Sequence, residues 1–198
     1  MLASNGLGSP SWSRSRNNRV TGEDEALSGS SRTKAPKGSC GEQLAGRGLW
    51  VREAAGLAPA PDEDLAVVRG YDAWSDKGET GADGRRLTIM TARRTCHVGE
   101  AVRVIHVFEA TRAGTTLYLM GPKTVYGEHV DGQLAGEAPP DWPDPFAPPT
   151  YNGRTLASPG VDHNYDVTSY RFKTPGCVRI QWQLGGLKSN VIELAVTA

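Results

Sequence analysis

Apolar and polar side chains alternate through the last part of the chain. Val178, Ile180 and Trp182 interleave with Arg179, Gln181 and Gln183, and beyond Gly185-Gly186 the alternation resumes as Ile192, Leu194 and Val196 against Glu193 and Thr197. A period of two gives a strand one buried and one wet face, and two such runs about a glycine loop predict a β-hairpin. Thr174-Pro175-Gly176, just upstream, is turn chemistry, since proline presets φ and glycine accepts a positive one. Earlier, Leu87, Ile89 and Thr91 alternate with Thr88 and Met90, and residues 101–108 (AVRVIHVF) form a β-branched run suited to a central strand. Residues 115–120 (TTLYLM), after an Arg112-Ala113-Gly114 turn, predict a second hairpin with that run. Residues 123–130 extend the sheet, and 166–172 (DVTSYRF) lead into the closing hairpin. Six or seven short strands without a convincing amphipathic helix predict an all-β fold. Parallel sheets need crossover helices, so the expected architecture is an antiparallel β-sandwich over residues 87–198.

The pattern weakens on either side of this frame. Residues 1–40 are rich in Ser, Gly, Arg and Asn and poor in aliphatic side chains. Such a segment buries too little apolar surface to offset about 1–2 kcal/mol of backbone entropy per residue, which predicts a disordered leader. Residues 41–86 form a poorly defined extension. Leu49, Trp50 and Val51 suit a short strand or part of a helix, as do Leu65, Val67 and Val68, while 75–86 is loop by composition. Residues 139–149 (PPDWPDPFAPP) hold six prolines in eleven positions, which excludes a central strand and predicts a stiff, partly polyproline-like connection. It lies within an insertion over residues 131–160.

Two stretches carry a resemblance. Residues 93–111 (RRTCHVGEAVRVIHVFEAT) and 174–196 (TPGCVRIQWQLGGLKSNVIELAV) contain Gly99-Glu100, Pro175-Gly176 and Ser189-Asn190. This resembles bacterial immunoglobulin-like sandwich domains, in which a loop ending in Gly-Glu precedes a long core strand, a Pro-Gly turn opens the last hairpin, and Ser-Asn precedes the final strand. The resemblance covers residues 87–198 and implies an immunoglobulin-like fold with adhesive, scaffolding or inhibitory roles. It implies no catalytic residues, and a fold alone does not name a function. The insertion departs from the pattern.

Charge changes the picture little. Twenty-two basic residues balance twenty-two acidic ones, so no global field argues for nucleic acid or an anionic membrane. No run approaches the roughly 18 apolar residues of a membrane span. The first residues as written lack a charged start followed by an apolar core, so a cytoplasmic location is expected, with export if the true start differs. Cys40, Cys96 and Cys177 are an odd count at unrelated spacings, which favours three reduced thiols, with a Cys96–Cys177 bridge as the alternative.

Candidate chemistry centres on the insertion. Trp142, Phe146 and Tyr151 are aromatic rings on a stiff segment and form the expected binding surface, within residues 126–165, for a protein or peptide partner or a sugar ring. The competing expectation is that they fold back over an open edge of the sheet. His129 with Asp131 and Asp162 with His163 flank the insertion. Were they to meet, they would supply nitrogen and oxygen ligands for a transition metal or calcium. Asp162, Asn164 and Asp166 also read as a calcium loop, but Val167 and Lys173 stand where an EF-hand needs Gly and Glu. His106 shares parity with Val102, Val104 and Phe108 and is expected to face the core. Cys96 and His97 point to opposite faces of a strand, which denies that thiol its neighbouring base. No nucleophile elbow, phosphate loop or dinucleotide fingerprint occurs. The expectation is a non-catalytic binding or accessory module without a required cofactor. A metal protein or metal-dependent enzyme is the alternative.

Overall fold

The computed structural model describes residues 12–14, 48–53, 55–119, 121–147, 151 and 154–198. In chain order these begin with β1 (Trp12–Arg14), β2 (Trp50–Glu53), β3 (Gly56–Pro59) and the helix α1 (Asp62–Arg69). Then come β4 (Arg85–Met90), β5 (Thr95–His97), β6 (Ala101–Ala110) and β7 (Thr116–Leu119). Around the insertion lie β8 (Glu128–Val130), β9 (Gln133–Leu134), β10 (Arg154–Ala157) and β11 (Gly160–Asp162). The chain closes with β12 (Asp166–Phe172), β13 (Gly176–Leu184) and β14 (Leu187–Thr197). The fold class is all-β, as the alternation predicts.

The β-branched run at β6 is the spine of the larger sheet. Antiparallel β4 lies along one edge, with Leu87 opposite Phe108. β11 and β12 follow each other along the opposite edge, with Asp162 opposite Phe108 and Thr168 opposite Val104. The smaller sheet runs β5-β14-β13-β8-β9. Inward residues of both sheets, among them Val104, Phe108, Tyr170, Ile180, Trp182 and Leu194, form one buried cluster. Two facing sheets therefore share a core, each strand contributing alternate residues to it.

The closing hairpin forms as expected. Gly185 and Gly186 both have positive φ, 58° and 78°, and Leu184 pairs with Leu187 across them. Two positive φ values in a two-residue loop give the turn whose twist matches its strands. Further along, Ser189 and Asn190 together oppose the single residue Trp182, which makes a β-bulge. The bulge leaves the Trp182 amide without a ladder partner, and it donates to Ser189 Oγ at 2.9 Å. The Asn190 side chain reaches the other sheet, accepting from Ile89 N at 2.8 Å and donating to Ile89 O at 2.9 Å. One amide thus completes the edge of β4 and ties the layers together.

Three expectations need correction. β7 does not form a hairpin with β6 but pairs with β10, because β4 and β11 already occupy both edges of that end of β6. The sheets are not wholly antiparallel: β2 runs parallel to β12, and β5 parallel to β14. These partners lie more than 90 residues apart in the chain, so no tight connection constrains their direction. Residues 48–74 are no loose extension, because Leu49, Val51, Ala60, Val68 and Tyr71 are buried with Met90, Ile105, Val107 and Val167 on the outer face of the larger sheet. Of the expected disordered leader, Trp12–Arg14 is a strand on the edge of β12, and the remainder, Cys40 included, lies outside the described residues. Cys96 and Cys177 are unbonded, one buried and one exposed, because they face adjacent β14 residues on opposite sides of the sheet.

Candidate functional site

The insertion folds back onto the domain. Phe146 is buried in the inter-sheet core, its ring stacked on Phe108 at 4.6 Å. Asp144 holds it there by accepting from the Phe146 amide at 3.1 Å and pairing with Arg85 at 3.2 Å, while the Arg85 guanidinium lies over the Phe146 ring. Burial removes Phe146 from any contact surface and makes it a plug at one end of the core. Trp142 is half-buried, edge-on to Tyr126, and Tyr151 is half-buried, edge-on to Tyr118 at 5.1 Å. These two rings keep some exposure.

The four proposed metal ligands do not assemble. No group of three or more His, Cys, Asp or Glu among the described residues is placed to hold a metal ion. His129 donates from Nδ1 to Gly127 O at 2.9 Å, and Asp131, at φ 49°, accepts from Arg179 N in the β8–β9 turn. Asp162 ends β11 on the larger sheet instead, and His163 follows it in the link to β12. Asp162 is fully buried and pairs with Lys123 at 2.5 Å, and its other oxygen accepts from Asn164 N and Nδ2. Asp166 pairs with Arg52 at 2.7 Å. The D-x-N-x-D run is therefore a turn whose carboxylates are engaged by cations, in keeping with the local bonding habits of Asp and Asn.

Nucleophilic chemistry finds no foothold at Cys96. Burial pushes its thiol up, and the nearby Glu100 carboxylate adds to this, which keeps the weakly nucleophilic protonated form. His106 does face the core, and the structure reveals its partner, which the sequence did not single out. His106 Nε2 meets Glu128 Oε1 at 3.0 Å, and the Glu128 carboxylate also accepts from Thr168 Oγ1 at 3.0 Å and Tyr170 OH at 2.5 Å. Glu128 has no solvent exposure and lies opposite Trp182. Its parity with Val130 on β8 was the available signal. A site sealed between two sheets admits no substrate, so this network joins the layers rather than performing chemistry.

The accessible site lies where β2 and β12 begin. There Trp50, Leu119, Pro122, Arg154, His163, Asn164 and Tyr165 surround an open cleft of about 300 Å³. The approach of the chain is tight: a Cβ at Gly121 would stand 2.7 Å from that of Asn164. Beneath the cleft Lys123 is almost enclosed, its ammonium 4.0 Å above the Tyr165 ring and bonded to Asp162. Burial works against the Lys123 charge, but the interactions with Tyr165 and Asp162 outweigh it and raise its pKa. The lysine stays cationic and its charge is spent on Asp162. Burial also raises the Tyr165 phenol. Trp50 is 37% exposed, and the Arg154 guanidinium has no partner among the described residues.

No protein-family model, curated protein or solved structure matches the chain. No helix among the described residues is long and apolar enough to cross a membrane.

Proposed function

We propose that this chain is a non-catalytic binding module, an immunoglobulin-like sandwich that holds a peptide segment of a protein partner in the cleft beside Trp50 and Arg154. The cleft carries this reading. It is open, polar and aromatic at its rim, and it lies where β7, β10, β12 and the N-terminal strands meet. Recognition sites combine apolar contact with a few convergent polar groups, and Trp and Arg are the side chains that most often dominate such contacts. The engaged carboxylates of Asp162 and Asp166 favour binding over metal chemistry. Tyr151, close in sequence to Arg154 and bonded through its hydroxyl to the Arg154 carbonyl, extends the aromatic rim.

An array of synthetic peptides probed with the purified chain tests this reading. Selective retention of a subset, lost on Trp50→Ala at unchanged melting temperature, supports it. Retention of no peptide, or equal retention by the variant, overturns it.

A further inference from the structure

Resting on the binding reading above, we infer that the cleft selects a carboxylate-terminated ligand one or two amino acids long, such as the free C-terminus of a peptide, with Arg154 receiving the carboxylate. The charge balance of the lining points to an anion. No described lining residue is acidic, and the carboxylates that flank His163–Tyr165 in sequence are already neutralised, Asp162 by Lys123 and Asp166 by Arg52. Among the described lining residues the one formal charge is the Arg154 guanidinium, which pairs with no described residue. A planar guanidinium presents two parallel N–H groups to a carboxylate, a geometry that an amide or hydroxyl cannot match.

A cationic ligand fits poorly. The Tyr165 ring face, which could receive an ammonium, is covered by Lys123 at 4.0 Å. Asn164 donates its backbone N–H and an Nδ2 hydrogen to Asp162 Oδ1, and its backbone carbonyl accepts from Lys123 N at 2.8 Å. Trp50, Leu119 and Pro122 then offer apolar surface for the group next to the carboxylate. The volume, about 300 Å³, lies at the lower bound of small-molecule sites and suits a terminal residue rather than a folded epitope.

The test compares N-acetyl-leucine with N-acetyl-leucinamide, and a tetrapeptide acid with its amide, by amide chemical-shift titration of the full chain. The acids should bind about tenfold more tightly than the amides, as a charge-assisted bond implies, with shifts at Trp50, Leu119 and Asn164. Arg154→Ala should abolish that preference, bringing acid and amide to equal affinity within the variant, and Arg154→Lys should restore part of it. The preference is a ratio within one variant, so a change in stability does not mimic it. A tighter tetrapeptide acid identifies a chain terminus as the ligand, and equal affinities identify the free residue. Acid and amide binding equally in the cleft overturns the assignment to Arg154 but leaves the module reading standing. No binding by any of the four probes overturns the inference, and the peptide array then decides the module reading by itself.

Discussion

The two faces of the larger sheet are built on different principles. The inner face meets the smaller sheet through Val104, Phe108, Tyr170 and their partners, and its polar groups are enclosed: Glu128 with His106, Thr168 and Tyr170, and Asp162 with Lys123. The outer face, around Ile105 and Val107, is covered by α1 and Tyr71, and Val51 of the neighbouring strand β2 joins the same cluster. Its charged contacts sit at the rim, where Arg103 reaches Asp64 at 2.5 Å and also Glu63 in the first turn of α1. Acidic residues in that first turn also suit the positive end of the helix. The inner layer is thus fastened by apolar area around sealed polar groups. The outer layer is fastened by a thinner apolar patch with ion pairs along its border. Charges near water lose less when a partner is removed, because solvent and spare neighbours replace it.

That contrast gives graded expectations. Trp182→Ala removes a fully buried ring from the inner core and should cost about 3–5 kcal/mol in urea unfolding. A loss under about 1 kcal/mol would show the two sheets to be loosely joined. Glu128→Ala strands His106, Thr168 and Tyr170 in the interior and should cost about 3 kcal/mol. Asp64→Ala leaves Arg103 19% exposed with Glu63 still in reach, so about 1 kcal/mol is expected. Equal costs from these two variants would erase the distinction between the faces.

Alkaline unfolding sharpens it least but most selectively. Burial chiefly raises the Tyr71 phenol, which donates to Glu109 at 2.7 Å, and Lys123 and Tyr165 are raised as well. A folded pKa above the unfolded value means stability that is present below the unfolded pKa and lost as pH rises through the folded one. The urea midpoint should therefore fall above about pH 10. Tyr71→Phe should lower it modestly at neutral pH and flatten the alkaline fall. An unchanged slope would show that Tyr71 ionises in the folded protein as it does in the unfolded chain.

The inner layer was readable because alternation reports burial directly. The run 101–108 became β6, and Val178, Ile180 and Trp182 became the inward row of β13. His106 was assigned its face by parity alone. The outer cover was not readable, since Leu49, Val51 and Val68 gain their burial from a surface supplied by residues more than 20 positions later. Ser189-Asn190 was conspicuous as a motif. Its physical purpose, a bulge opposite Trp182 and a bond to Ile89, required the second sheet to be in place. The metal set misled because nearness to the ends of an insertion does not imply nearness in space. The cleft escaped notice because its walls come from four separated segments.

By itself the sequence determined the long core strands β4, β6, β12, β13 and β14, where the closing hairpin turns, and which face of those strands is apolar, because these follow from a period of two and the φ preferences of Gly and Pro. Only the tertiary structure decided which strands are neighbours, that Phe146 is a plug rather than a contact, and that Asp162 serves Lys123 rather than a metal. Pairing and charge compensation depend on distances between remote segments, and no local pattern encodes those distances.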